Sequence, residues 1–274
     1  MVNTQQLISS RIQLHYAIQF MAAISNALAP PQPDGSHVTI NWEAKQQLFV
    51  SVLIAGLFKV ALDPIGLNAL LLDPQGNQIE MLPLEGQTMD EGLEWHRTEI
   101  GKLGLDASNI VFLDYPPNDF PDHEVAHGGV FEIDPLAARI WLMNYFQTSQ
   151  NLLQDIVANL EEASDLHIWP HHFDMATLLS WPTNQDGESG SIGVGFSPGD
   201  AGYPEPYWYV SPWPYPNIAK LPTLVSGGSW HTEEWVGAVL TDSCLGDVTT
   251  DATQQSIKTF LSDAVAKSRQ LLNE

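Results

Sequence analysis

Aromatic, histidine and carboxylate side chains are concentrated in three segments of this chain, 167–174, 203–216 and 230–235. Large aromatic faces with a few titratable groups between them are typical of small-molecule binding sites. The sequence therefore predicts a small-molecule binding or enzymatic domain, with a pocket formed within residues 167–235. The candidate ligand-binding side chains are Trp169, His171, Glu205, Tyr207, Tyr209, Trp213 and Trp230.

Metal binding is a second chemistry that the same region indicates. Alternate side chains of an extended strand share a face, so His172 would project with Asp174, and His231 with Glu233. Imidazole nitrogens and carboxylate oxygens suit zinc, iron or manganese. His172, Asp174 and His231 are therefore candidate ligands of a divalent metal in a metal-dependent hydrolase or a non-haem iron oxygenase.

These three residues and Glu233 are also the candidates for catalytic groups. In a hydrolytic site, Glu233 or Glu205 would be the general base. Asp174 lies in an apolar stretch, so we expect a partly buried carboxylate with a histidine or tyrosine hydroxyl as its hydrogen-bond partner. A third interpretation is a non-catalytic structural or interaction protein, in which the histidines pack between aromatic rings and the aromatic strands form core or interface.

Charge limits the partners of this protein. The chain has 10 Lys and Arg against 33 Asp and Glu, a formal net charge of −23. Such a surface disfavours nucleic acid and anionic membranes as partners. Arg139 is the only basic residue between Leu103 and Ala219. That asymmetry indicates either a solvated acidic surface or a cation-attracting face around a site.

Cysteine usage and apolar patterning bear on the cellular compartment. The single cysteine, Cys244, excludes an intramolecular disulfide framework and a zinc site built from cysteines. No apolar run reaches the roughly 18 residues that a membrane span needs. The first residues lack the basic start of a signal peptide. These features predict a cytoplasmic protein.

Periodicity and turn residues predict the elements that carry these side chains. Four helices are predicted, over 4–28, 88–103, 134–163 and 251–272, the first of them from apolar residues at three- and four-residue spacing. A capping box of Thr88 and Glu91 starts the second helix and Gly104 ends it, while Asp134 is the expected N-cap of the third, with Pro135 next. Strands are expected in five segments, the first with a hairpin turn near its end: 37–84, 166–181, 190–197, 206–213 and 234–240.

The order of these elements predicts an α+β fold in which long helices pack against one or more antiparallel β-sheets. We expect a single domain over residues 1–274. An alternative is two lobes, 1–115 and 130–274, joined by the proline- and glycine-rich segment 115–129. The sequence leaves the oligomeric state open.

Several short motifs along the chain are similar to those of a known family. The segment 169–176 resembles a Trp-x-x-Phe-Asp-Leu-Ala motif, with His171 and His172 where that family has small residues. Further similarities follow in the same order, at 12–15, 86–104, 134–141, 195–199 and 206–209. The family is the bacterial domain of unknown function 5996, and the resemblance spans nearly the whole chain. It implies a shared fold but no mechanism, because the family has no established activity.

Overall fold

The computed structural model describes residues 3–116, 119–133, 135–181 and 190–272. The predicted α+β fold class is confirmed, since long helices accompany antiparallel strands. The helices are α1 (Thr4–Ala17), α2 (Gln19–Leu28), α3 (Met89–Lys102), α4 (Leu136–Asn159) and α5 (Asp251–Leu272). The strands are β1 (Ile40–Glu43), β2 (Leu48–Ser51), β3 (Lys59–Asp63), β4 (Asn68–Leu72), β5 (Gln78–Pro83), β6 (His167–Trp169), β7 (Asp174–Trp181), β8 (Gly190–Ser197), β9 (Tyr207–Trp213), β10 (Ser229–His231) and β11 (Gly237–Thr241).

The chain divides into two compact units. The first unit is Met1–Met143 with His167–Phe173, and the second is Asn144–Leu166 with Asp174–Glu274. The division falls within α4. The expectation of a single domain, with its alternative of two lobes joined at 115–129, stays a prediction. Within the four ranges that the structure describes, no helix has both the length and the apolar character to cross a membrane.

In the first unit the strands are ordered β6-β1-β2-β3-β4-β5, each antiparallel to its neighbour. The predicted hairpin is confirmed as β4 and β5. Asp73 stabilises its turn, because the carboxylate accepts hydrogen bonds from the backbone N–H groups of Gln75 and Asn77. Gly76 has a φ of +90°, a conformation that glycine adopts without steric cost.

The capping box of α3 is also confirmed. Thr88 Oγ1 accepts from the backbone N–H of Glu91 at 3.2 Å, and the Glu91 carboxylate accepts from the N–H of Thr88 at 2.9 Å. Gly104, with a φ of +85°, follows the end of the helix. The helix packs closely on α2, because the ring of Phe20 lies against Gly92.

In the second unit the strand order is β10-β11-β9-β8-β7, again antiparallel. Strands β8 and β9 lie where the sequence predicts strands, and α5 has the predicted bounds. Trp208 of β9 is fully buried, and its indole Nε1 donates to Ser149 Oγ at 3.0 Å. That pairing satisfies a polar group that burial would otherwise leave without a partner.

One predicted strand, 166–181, is two strands separated by a turn, and the expectation that it is continuous is wrong. The backbone N–H of Phe173 donates to the carbonyl of Trp169 at 2.8 Å, and Phe173 has a φ of +57°. A tight turn therefore replaces the extended backbone at 170–173. The alternation that placed His172 and Asp174 on one strand face does not apply.

Other boundaries differ as well. Strand β10 ends at His231 and Glu234 has a φ of +61°, so the expected shared strand face of His231 and Glu233 is also wrong. The helix predicted over 4–28 is interrupted at Ile18, where the Gln19 side chain donates to the carbonyl of His15. The third helix ends at Asn159 rather than near 163, and its expected N-cap, Asp134, lies outside the described residues.

Candidate functional site

Five aromatic rings of the second unit form a closed circuit, in which each ring contacts two others. We call it the aromatic circuit. Its consecutive members are Tyr203, Tyr207, Tyr209, Trp235 and His231. The centroids of neighbouring rings are 4.5 to 6.5 Å apart. Two of the tyrosines are alternate residues of β9, and therefore project from the same face of the sheet.

The inner part of the circuit is fixed by hydrogen bonds to two carboxylates. The Tyr209 hydroxyl donates to Asp174 Oδ2, and the Tyr207 hydroxyl donates to Asp200 Oδ2 at 2.5 Å. The ring of Tyr209 has room because Gly195, its cross-strand partner on β8, carries no side chain. Asp174 is partly exposed and has a tyrosine partner, so the expectation for this carboxylate is confirmed.

The other three rings of the circuit, Tyr203, His231 and Trp235, are half-buried. The Tyr203 hydroxyl lies 3.0 Å from His231 Nδ1, and the His231 ring stacks on Trp235 at 4.5 Å and 25°. Asp200 also fixes the loop before β9, because its Oδ1 accepts from the backbone N–H groups of Gly202 and Tyr203. One carboxylate therefore orders both a loop and a ring of the circuit.

The electrostatic environment of the circuit is negative. Burial, and then the carboxylate of Asp174, raises the pKa of Tyr209 well above its ordinary value. Burial followed by Asp200 raises the pKa of Tyr207, and burial with Asp200 and Glu233 raises the pKa of Tyr203. The three hydroxyls therefore remain protonated at neutral pH. Tyr207 and Tyr209 donate to carboxylates, and Tyr203 lies near Asp200 and Glu233. This concentration of negative charge beside aromatic rings favours a positively charged ligand.

Three of the predicted ligand-binding residues of this unit have other contacts. Glu205 accepts hydrogen bonds from the backbone and hydroxyl of Ser243. Trp213 is 56% exposed and packs edge-on against Tyr215. Trp230 Nε1 donates to the carbonyl of Pro222 at 2.7 Å. None of these three is a member of the aromatic circuit.

The remaining predicted residues, Trp169, His171 and His172, lie in the first unit. The His171 ring is stacked between those of Tyr115, at 4.4 Å and 6°, and His172, at 4.1 Å and 23°. His171 Nε2 is 3.1 Å from Asp119 Oδ2. The sequence gives no sign of this proximity, because Asp119 and His171 are far apart along the chain and no strand or helix pattern relates them.

A buried histidine holds the turn that carries these imidazoles. His15 Nε2 lies 2.9 Å from the carbonyl oxygen of Pro170 and 3.1 Å from that of His171. Gln19 Nε2 donates to the Pro170 carbonyl at 2.8 Å. Burial lowers the pKa of His15 to about 3, so the ring is neutral at physiological pH and its Nε2–H donates to both carbonyls.

The predicted metal set is divided between the units. His172 belongs to the first unit, whereas Asp174 and His231 belong to the second and each contact a different tyrosine. A common metal site for these three residues stays a prediction. Comparison of the chain with protein families, curated proteins and solved structures finds no match. The resemblance to domain of unknown function 5996 therefore stays a prediction too.

Proposed function

We propose that this protein binds a small organic cation, such as an amine or a quaternary ammonium compound, at the aromatic circuit. The observation that carries the proposal is the closed arrangement of five rings with carboxylates on its tyrosines. Aromatic faces attract cations through the negative charge density above the ring, and sets of such faces recognise quaternary ammonium groups.

The dimensions of the circuit are consistent with this ligand class. Neighbouring centroids are separated by 4.5 to 6.5 Å. Cation–π attraction extends to about 6 Å from a ring centroid. An ammonium group that lies against one ring of the circuit is therefore within reach of a neighbouring ring as well.

Charge supports a cation over a neutral or anionic ligand. Asp200 and Glu233 are exposed and lie close enough to Tyr203 to raise the pKa of its hydroxyl. An incoming cation would lower the mutual repulsion of these carboxylates, whereas an anion would add to it. The scarcity of basic residues between Leu103 and Ala219 points in the same direction.

The test compares a cation with its uncharged isostere. Choline and 3,3-dimethylbutan-1-ol have nearly the same shape, and differ in the charge of the central atom. Isothermal titration calorimetry should detect choline binding and no comparable binding of the alcohol. Trp235→Leu should weaken choline binding by about 2- to 30-fold, because one cation–π contact is worth about 0.5–2 kcal/mol. The matched control is Trp213→Leu, at an exposed tryptophan of the same unit, which should leave choline binding unchanged.

A substitution that removes one negative charge tests how much the carboxylates contribute to choline binding. Glu233→Gln removes one negative charge from an exposed side chain and should weaken choline binding, whereas Glu161→Gln should not. Failure of choline and of putrescine to bind at millimolar concentration contradicts the proposal. So does equal affinity for the alcohol, which would instead favour an uncharged ligand. If the folded protein binds neither compound, the non-catalytic interpretation is favoured.

A cytoplasmic location is a separate prediction, and cell fractionation tests it.

A further inference from the structure

We propose that Asp119, His171 and His172 of the first unit bind one first-row divalent metal ion of the zinc class. Each residue offers one ligand atom, and these three atoms all lie within 4.8 Å of one another. This inference concerns residues other than those of the aromatic circuit and does not depend on the function proposed for them. It also differs from the metal site that the sequence predicts, with which it shares one residue, His172.

The spacing of the first two donor atoms matches that of ligands on one ion. His171 Nε2 and Asp119 Oδ2 are 3.1 Å apart. Zinc-to-ligand bonds of about 2.1 Å place two ligand atoms about 3.0 to 3.4 Å apart, for angles from octahedral to tetrahedral. The nitrogen is buried and has no well-directed hydrogen bond among the described residues. A metal ion between the two atoms would satisfy both of them.

The turn at 170–173 explains how two adjacent histidines reach the same ion. In an extended strand their side chains would point to opposite faces. Here the backbone turns, and the His171 and His172 rings stack at 4.1 Å with 23° between their planes. His172 is exposed, so its ring can rotate and become the third ligand of an ion that lies between His171 Nε2 and Asp119 Oδ2.

The support around this turn holds His171 in position before any ion binds. The carbonyls of Pro170 and His171 accept hydrogen bonds from His15, as described above. Tyr115 covers one face of the His171 ring, and its hydroxyl donates to Gln19 Oε1 at 2.7 Å. Groups that orient a ligand histidine in this way reduce the entropy lost on metal binding.

The donor set selects the class of metal. Two imidazole nitrogens and one carboxylate oxygen suit zinc, cobalt, nickel or iron(II), and not magnesium or calcium, which prefer oxygen ligands. Three protein ligands also leave a coordination position open for water, as in catalytic rather than structural zinc sites. The net charge of −23 raises the local concentration of cations of every kind, so selectivity among metals has to come from the ligands.

The experiment uses the full chain after treatment with a chelator and dialysis. We expect one Zn²⁺ bound per chain in a competition titration with a chromophoric chelator, and a visible absorption spectrum with Co²⁺. Asp119→Asn and His172→Gln should each weaken Zn²⁺ binding by at least about tenfold, because even the loss of a group that orients a ligand costs 10- to 100-fold. Mg²⁺ and Ca²⁺ should not compete.

Matched controls come from a second histidine and aspartate pair of the same unit. His127 Nε2 is 2.6 Å from Asp122 Oδ1, and both side chains are exposed. His127→Gln and Asp122→Asn should leave the Zn²⁺ affinity unchanged. Asp119 and His172 are exposed as well, so their variants should fold, which thermal unfolding without metal checks. Absence of Zn²⁺ and Co²⁺ binding by the parent, or equal affinity in the Asp119 and His172 variants, would overturn the proposal.

Discussion

Gly195 of β8 lies directly against the phenol ring of Tyr209 on β9. The two residues are register partners in the sheet. A β-carbon built on Gly195 would be 2.5 Å from both Cζ and the hydroxyl oxygen of that ring, a separation that van der Waals repulsion forbids. The missing side chain thus allows the Tyr209 ring to lie over the strand, where its hydroxyl reaches Asp174.

We expect Gly195→Ala to displace this ring and to remove the hydrogen bond to Asp174. Forcing extra volume into a packed site costs about 1–3 kcal/mol, so the free energy of unfolding in urea should fall by that amount. Gly193→Ala is the matched control on the same strand, since its nearest neighbours would be 3.9 Å away. Equal stability of the two variants would contradict the packing that we describe.

The sequence predicts Tyr207 and Tyr209 of the circuit as ligand-binding residues, because they lie in a segment rich in aromatic side chains. Tyr207 and Tyr209 are two residues apart in a predicted strand, and their common face follows from that spacing alone. Tyr203 is in an irregular connection, and so is Trp235, because β11 begins at Gly237 rather than at the predicted residue 234. In such connections no periodicity relates a residue to its neighbours in space. Their membership of the circuit depends on loop conformations that the sequence pattern does not specify.

The helix packing of the first unit provides a second prediction, on α3. A β-carbon on Gly92 would be 2.5 Å from Cζ of Phe20, so Gly92→Ala should destabilise the protein by about 1–3 kcal/mol. Gly101 of the same helix has nothing within 4 Å of that position. Gly101→Ala should therefore stabilise it by about 0.5–1 kcal/mol, because alanine loses less backbone entropy in a helix. Thermal unfolding of the two variants should shift in opposite directions.

A buried hydrogen bond in the second unit provides a third prediction. Ser149→Ala would leave the indole N–H of the buried Trp208 without its partner hydroxyl. An unsatisfied buried donor costs about 1–3 kcal/mol, and denaturant unfolding should register that loss. Ser256→Ala is the control in α5, where the hydroxyl is exposed and bonds to the carbonyl of Ala252. A loss of the same size in the control would contradict the role of Ser149.

At 170–173 the structure has a turn where the sequence predicts a strand. Pro170 and the run of apolar and aromatic residues around it fit an extended strand as well as a turn, so the local pattern is ambiguous. The turn requires a positive φ at Phe173, a conformation that a phenylalanine rarely adopts. Its ring is fully buried and packs on Phe49 and His15. These tertiary contacts compensate for the unfavourable backbone conformation, and no local sequence signal reports them.

A last prediction concerns His96, whose titration should make the protein sensitive to acid. The ring is completely buried in α3, Nδ1 donates to the carbonyl of Gly92 at 2.7 Å, and Nε2 has no partner among the described residues. Protonation would place a charge in the core, and burial therefore lowers the pKa from 6.5 to about 4. Between these two values the unfolded chain binds a proton that the folded protein does not. Stability is thus fully present above about pH 6.5 and decreases as the pH falls toward 4, by up to about 1.4 kcal/mol per pH unit for one proton.

Two substitutions of His96 distinguish the effect of its titration from the effect of its packing. His96→Phe and His96→Gln both remove the titratable ring, although they differ in how well they fill the space beside Phe20, on which the imidazole stacks at 5.0 Å. The two variants should differ in stability at neutral pH. The free energy of unfolding of both variants should nevertheless decrease less steeply between pH 6.5 and 4 than that of the parent. The difference in slope should correspond to about one bound proton. Urea denaturation across that pH range measures the slope, and a slope equal to that of the parent in both variants would show that His96 is not responsible for the acid sensitivity.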